Sequence, residues 1–276
     1  MNQLDYQGPV EGLRAEIDRI HKECERYVRM LGQVDRAVPF VFGGVFVIFL
    51  LAFFGVVRDP FPLVIGYFVV LAAVLFYRHS LGKKVFEKRK IDLARDFVTT
   101  VGKDMKSGSE IAMHMSLDGY LVRGTEIKSS KADYFGTARR ASYFHRWFSA
   151  AGRLHDGNRF LLVIKQWAKR NEKRKRKHTR VNETVAERIR LVIKIDPLTY
   201  PRYSMLPYHL QPDVYVGGLH IAAVHLVGNR LTVLATTASW RRPKGTYGRE
   251  ERKDRIEGED LVALFIHLYS HLARCR

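Results

Sequence analysis

The stretch PFVFGGVFVIFLLAFFGVVRDPFPLVIGYFVVLAAVLFY, residues 39–77, decides the architecture that this sequence predicts. It contains two apolar runs, residues 39–57 and 60–77, separated by the charged pair Arg58 and Asp59. Each run is close to the roughly 20 residues that a helix needs to cross about 30 Å of hydrocarbon. Because a bilayer cannot satisfy backbone groups, both runs should be helical. The sequence therefore predicts a transmembrane hairpin; the alternative is a helical hairpin buried in a soluble core.

Basic residues flank the hairpin on the sides away from its link. Such residues near the ends of a span stay on the cytoplasmic side of the membrane. We therefore expect a multi-pass protein of the inner (cytoplasmic) membrane with both termini in the cytoplasm. The flanking residues are Lys22, Arg26, Arg29 and Arg36 before the first run, and Arg78, Lys83, Lys84, Lys88, Arg89 and Lys90 after the second.

The remaining chain divides around this hairpin. We predict an N-terminal amphipathic, coiled-coil helix over residues 1–37, the transmembrane hairpin over 38–78, a stalk helix over 79–106, and a basic cytoplasmic domain over 107–276. The last segment has the length of one ordinary domain. Its patterns predict an α+β fold, with an antiparallel sheet covered by a C-terminal helix. The expected fold class is thus a membrane protein with a two-helix hairpin, a helical stalk and a cytoplasmic α+β domain.

The N-terminal helix has an apolar seam at alternating steps of three and four, after a frayed segment over residues 1–9. Such a seam requires an apolar partner. That partner is either the helix after the second span, where residues 91–105 have the same spacing, or a neighbouring copy of the chain. For a homo-oligomer, the expected contact residues are Val10, Leu13, Ile17, Ile20, Tyr27 and Leu31.

Short patterns predict the elements of the cytoplasmic domain. Residues 110–115 and 120–123 flank a turn, residues 138–150 are predicted to be a short helix, and residues 160–167 and 189–195 are predicted to be paired strands. A turn at Gly228 and Asn229 would pair Leu226 with Leu231, Val224 with Val233, and Ala222 with Ala235. The final helix is expected over residues 259–273.

A run of cations, KRNEKRKRKHTR at residues 169–180, lies between the two paired strands. Because like charges repel, we predict a mobile tip. The formal net charge of the chain is +19, so anionic lipid headgroups, nucleic acid or an acidic protein are the expected partners. The expected contact residues are Lys169, Arg170, Lys173, Arg174, Lys175, Arg176, Lys177, Arg180, Arg188 and Arg190.

Sequence motifs of catalysis are not found. The glycines do not form a phosphate-binding loop that follows a strand and precedes a helix. The histidines lack the helical spacing with a nearby Glu that metallohydrolases use. Cys24 and Cys275 are expected to be reduced thiols without a disulfide. We therefore predict no catalytic residues, no metal site and no cofactor, and a protein that is not an enzyme.

In layout, a two-span hairpin with a cytoplasmic α/β domain resembles subunits of bacterial secretion or conjugation machines, and also the two-span effectors of antiphage signalling. The expected function is a non-enzymatic scaffold or structural subunit of a multiprotein membrane assembly. Two alternatives are open. One is a two-span effector gated by a small anionic ligand that the cytoplasmic domain senses, and the other is a membrane-tethered nucleic-acid binder.

Overall fold

A computed structural model describes residues 3–54, 61–84, 87–106, 108–119, 121, 124–131, 138–174, 179–237 and 255–276. The chain forms two compact units. The sheet unit comprises Met1–Ile17 and Arg89–Arg276, and the helical unit comprises Asp18–Lys88.

The helices of the described chain are α1 (Val10–Phe53), α2 (Phe61–Lys84), α3 (Lys88–Lys103), α4 (Leu206–His209) and α5 (Gly258–Ala273), with a short 3-10 turn at Tyr203–Met205. The strands are β1 (Gln3–Pro9), β2 (Glu110–Ser116), β3 (Glu126–Lys131), β4 (Ala138–Arg153), β5 (Arg159–Arg174), β6 (Thr179–Lys194), β7 (Val214–Val216), β8 (Leu219–Val227) and β9 (Arg230–Thr237). They form one sheet in the order β1-β2-β4-β5-β6-β9-β8-β7, in which β3 also pairs with β4. All of these pairings are antiparallel.

In the helical unit, α1 and α2 run antiparallel. The hydroxyl of Tyr67 donates to the carbonyl oxygen of Val41, and Arg78 contacts Asp35 at 2.5 Å. Among the described residues, one helical stretch is long and apolar enough to cross a membrane. It is Val64–Gly82 of α2, which has a mean hydropathy of 1.7 and of which 6% is buried. This stretch overlaps the second apolar run. By the same criterion the first run, residues 39–57, is not found in the described part of the chain, so the two-span hairpin is not supported. The link at residues 55–60 lies outside the described chain.

In the sheet unit, α3 and α5 cover one face of the sheet. Phe97 of α3 lies with its ring centroid 5.6 Å from that of Phe148 on β4 and 6.0 Å from that of Phe160 on β5. Phe265 of α5 contacts Phe160 at 6.1 Å. Edge-to-face aromatic pairs of this kind add to the free energy of burial. The predicted antiparallel sheet with a covering C-terminal helix is therefore confirmed.

Two local predictions are wrong. Residues 3–9 are not frayed but form β1, whose Leu4 is buried opposite Met115 of β2. Residues 138–150 form strand β4 and not a helix. The pairing of β4 with β5 shifts between Arg146 and Phe148, so the extra residue between them interrupts the alternation by which a strand is recognised.

Other local predictions are confirmed. Leu226 pairs with Leu231 and Val224 with Val233, as the turn chemistry requires. The third pair differs, because a bulge between Ile221 and Ala223 places Ile221 opposite Ala235. The final helix ends at Ala273 as expected and begins one residue early, at Gly258.

The first half of the predicted apolar seam of α1 is buried in the sheet unit. Val10, Leu13 and Ile17, which belong to the sheet unit, are buried within the chain. Ile20, Tyr27 and Leu31, in the helical unit, are half-buried. Burial within one chain favours the first of the two partners considered above, and an oligomer through these residues stays a prediction. Over the predicted stalk at residues 79–106 the structure has the end of α2 and then α3.

Candidate functional site

The strands β5 and β6 form a long hairpin where the sequence predicts a mobile tip. Pairing begins at Arg159 and Lys194 and continues without a shift to Arg174 and Thr179. The loop prediction for residues 169–174 and 179–180 is therefore wrong. The outer part of the hairpin is stabilised by a small apolar cluster of Ala141, Tyr143 and Ala168, with Val185 packed against it. Residues 175–178, which include three of the predicted contacts, lie outside the described chain.

The two faces of the central strands differ in which charged side chains they carry. Side chains of a strand alternate between faces, and Phe160 marks the face that the helices cover. We call the opposite face of β4, β5, β6 and β9 the basic face. Its Lys and Arg residues are Arg140, Arg146 and Arg153 on β4, Arg159, Lys165, Lys169 and Lys173 on β5, Arg180, Arg188, Arg190 and Lys194 on β6, and Arg230 on β9.

None of the acidic residues of these four strands lies on the basic face. Glu172 and Glu183 lie on the helix-side face, where Arg170 contacts them at 2.6 and 3.1 Å. Glu187 also lies on that side and is fully buried. Within these four strands, carboxylates therefore accompany the cations of the helix-side face only.

On the same side of the sheet as the basic face, six residues are aligned in one row across six strands. The register places Arg146, Lys165, Arg188, Thr236, His220 and Tyr215 side by side on β4, β5, β6, β9, β8 and β7. Neighbouring strands are about 4.8 Å apart, so the three cations of the row are adjacent. Like charges directly opposite one another destabilise a sheet. A bound anion would relieve this repulsion.

Aromatic rings lie among these cations. The ammonium of Lys165 is 5.6 Å from the ring centroid of Phe144, and the guanidinium of Arg188 is 4.9 Å from that of Trp167. The two rings contact each other at 5.0 Å. A cation over a ring face is attracted by the ring quadrupole, which helps to hold these charged groups in place.

A pocket of about 470 Å³ opens at the row. It is lined by the cations Lys165, Arg188 and Arg190, by Trp167, Tyr215 and His220, and by Ile189, Ala222, Leu234, Thr236 and Thr237. His220 is oriented by Asp213, whose carboxylate is 3.1 Å from its Nε2 atom, and by the ring of Tyr215 at 5.0 Å. Such a volume lies in the range of sites that bind small molecules.

The covered side of β6 holds a buried ion pair. Arg89 donates to both carboxylate oxygens of Glu187, at 3.0 and 2.8 Å, and to the carbonyl oxygen of Ile256 at 2.6 Å. The backbone amide of Ile256 donates to Glu187 at 2.7 Å. The next residue, Lys90, donates to the carbonyl oxygens of Ser116 and Asp118. The contacts of Glu187 therefore join β6 to α3 and to the residue Ile256 before α5, directly beside Arg188 in the chain.

The predicted contact residues fall into separate groups. Lys169, Lys173, Arg180, Arg188 and Arg190 lie on the basic face, and Arg170 lies on the other face in an ion pair. Arg174 ends β5, and Lys175, Arg176 and Lys177 are not among the described residues. Sequence reasoning missed Arg140, Arg146, Arg153, Arg159, Lys165 and Arg230. For those on β5, the signal was Arg159, Lys165, Lys169 and Lys173, whose spacing by even numbers puts them on one side of a strand.

Other chemistry is not apparent in the described chain. No group of three or more His, Cys, Asp or Glu residues is placed there to hold a metal ion. Cys24 and Cys275 are buried and are not joined in a disulfide. Burial raises the pKa of the Cys275 thiol.

Comparison of the chain with models of protein families, with curated proteins and with solved structures finds no match.

Proposed function

We propose that this protein is a membrane-tethered binder of single-stranded nucleic acid, and that the basic face is its binding surface. The observation that carries the proposal is the segregation of charge on β4, β5, β6 and β9: many cations and no carboxylate on one face. Lys and Arg side chains on such a surface gain affinity for a polyanion by releasing its condensed counterions.

The length of the basic face favours a polymer over a small ligand. From Arg159 to Lys173 the cations extend over fourteen residue steps of β5, which corresponds to roughly 45 Å of strand. A small anion would contact only the row at Lys165 and Arg188. A chain of phosphates would contact the whole surface.

The aromatic residues favour a single strand over a duplex or a lipid surface. Phe144 and Trp167 are half-buried on the basic face, and Tyr215, which is 59% exposed, lies at the other end of the row on β7. Unpaired bases stack on such rings, whereas the bases of a duplex are already stacked on one another. Asn171 and Asn182, directly opposite each other on the same face, add uncharged donors and acceptors.

The tether is proposed from the apolar helices. Val64–Gly82 has the length and composition of a span. The apolar run of α1, which is antiparallel to α2, would supply the second, with both termini and the sheet unit in the cytoplasm by the distribution of basic flanks. The expected role as a scaffold subunit stays a prediction.

The test uses the full chain in neutral detergent micelles. Fluorescence anisotropy should show tight binding of a mixed-sequence single-stranded 20-mer, weaker binding of the same sequence as a duplex, and little competition from vesicles of anionic phospholipid. If the vesicles displace the oligonucleotide completely at equal phosphate concentration, or if only the vesicles bind, the surface is a lipid contact. A preference for duplex would also contradict the proposal.

A further inference from the structure

The pocket at the row brings cations of the basic face together with aromatic side chains. Most of that face is a strand surface with exposed cations, but here β7 and β8 add Tyr215 and His220 at one side, and Trp167 lies at the other. Between them the lining includes Lys165, Arg188 and Arg190. A planar apolar group and an anion could therefore be held in one site.

The two ends of the pocket provide two kinds of contact. Tyr215 is 59% exposed, and its ring contacts that of His220. Asp213 holds His220 in place, so the Tyr215 ring is supported by His220 while much of it is accessible to a ligand. The guanidinium of Arg188 is held over Trp167 at 4.9 Å, and Lys165 is its direct neighbour on β5. Guanidinium and ammonium groups are the side chains that bind phosphate most strongly. The side chain of Thr236 lies in the row between Arg188 and His220 and adds a hydroxyl.

We infer that this pocket holds one nucleotide unit, with its base against Tyr215 and its phosphate on Lys165, Arg188 and Arg190. This inference rests on the proposed function, since it makes the pocket a place on the basic face where a base as well as the phosphate is held. The volume of about 470 Å³ is large enough for a nucleoside monophosphate.

The experiment measures binding of free AMP to the full chain in neutral detergent, by calorimetry and by tryptophan fluorescence. We expect saturable binding and a fluorescence change that disappears in Trp167→Phe. Tyr215→Ala should weaken AMP binding about tenfold, which is the order of effect that loss of one base–aromatic stack produces. Arg188→Gln should weaken it further.

The matched control is Tyr208→Ala. Tyr208 is 80% exposed on α4 and does not line the pocket, so this variant should bind AMP as the unchanged protein does. Because both tyrosines are largely exposed, neither substitution should affect folding, which circular dichroism would verify.

The outcomes separate this inference from the proposed function. If the single-stranded 20-mer binds but AMP does not, or if Tyr215→Ala leaves AMP binding unchanged, the pocket inference is overturned and the polymer surface stands. If inorganic phosphate competes as well as AMP, the pocket is a phosphate site without a base contact, which also overturns it. If AMP binds and Tyr215→Ala weakens it, but no oligonucleotide binds, the nucleotide pocket stands and the proposed function fails.

Discussion

Glu187 and Arg188 are neighbours on β6, yet their side chains lie on opposite faces of the sheet. Glu187 is fully buried and accepts two hydrogen bonds from Arg89, whereas Arg188 is exposed with its guanidinium over Trp167. The same short piece of backbone therefore contributes to the interior and to the basic face. Its position is fixed from the covered side, so the surface cations are displayed by a rigid strand.

The first prediction concerns the salt dependence of oligonucleotide binding. Lys169→Gln with Lys173→Gln removes two cations from the basic face, so the slope of log K against log salt concentration should become shallower by about 1.4. The measurement is anisotropy with the single-stranded 20-mer over a salt series.

A matched double variant, Arg139→Gln with Arg170→Gln, removes the same charge from the other face of the same strands. Both arginines contact glutamates there, Glu126 and Glu172, so the slope should stay as in the unchanged protein. An equal change in both double variants would mean that net charge, and not the basic face, determines binding.

The second prediction concerns the ion pair of Arg89 and Glu187. Glu187→Ala should lower the free energy of unfolding by about 3–5 kcal/mol, because it leaves a partly buried guanidinium without its carboxylate. Replacing both residues, Arg89→Met with Glu187→Leu, should recover most of that loss. Denaturation can be followed by the fluorescence of Trp147, whose ring lies 5.5 Å from the Arg89 guanidinium.

Arg139→Ala provides the comparison for this second prediction. Arg139 also donates to both oxygens of a glutamate, Glu126, but at the surface. Arg139→Ala should therefore lower the free energy of unfolding much less than Glu187→Ala does, since exposed ion pairs contribute little to stability. Similar losses for the two pairs would show that burial of Glu187 does not matter to stability.

The third prediction is topological. A cysteine at Ser129, which is exposed on β3, should react with a membrane-impermeant maleimide only after the cells are permeabilised. A cysteine at Asp59, in the link between the apolar runs, should react in intact cells. The native thiols of Cys24 and Cys275 are buried, so the background should be low. Reaction of the Ser129 position in intact cells would contradict a cytoplasmic sheet unit.

The fourth prediction concerns alkaline pH. Burial, and then the hydrogen bond to Asp156, raise the pKa of Tyr200 from 10.0 to about 12. Between these values the unfolded chain releases the proton and the folded chain keeps it, so the contribution of Tyr200 to stability is complete below pH 10 and is lost as the pH rises toward 12.

Tyr200→Phe isolates this contribution. At neutral pH it should cost about 1 kcal/mol for the lost hydrogen bond to Asp156. The difference in stability between the two proteins should shrink across the alkaline range, as measured by urea denaturation at several pH values. A difference that stays constant to pH 12 would mean that the Tyr200 hydroxyl keeps its ordinary pKa in the folded protein.

Sequence patterns predicted the elements whose signals are local. The stripe of α5 and the turn at Gly228 and Asn229 depend on residues close in the chain, and both are present. The strand β4 could not be recognised, because its bulge places Trp147 and Phe148, both buried, next to each other.

The site depended on pairing between distant strands. The cation run was visible in the sequence, but the row from Arg146 to Tyr215 exists only through the register of six strands, which no local pattern fixes. Arg89 and Glu187 are 98 residues apart. In the sequence alone, Arg89 cannot be distinguished from the other basic residues that follow the second apolar run.

The alternation of charge along β5 restricts how the length of this strand can evolve. Inserting one residue between Ala168 and Lys169 would turn every outer side chain of β5 to the opposite face, so Lys169 and Lys173 would leave the solvent side and Glu172 would enter it. Inserting two residues would keep every charge on its own side and only lengthen the hairpin. Natural variants of this chain should therefore differ in the hairpin by even numbers of residues in each strand.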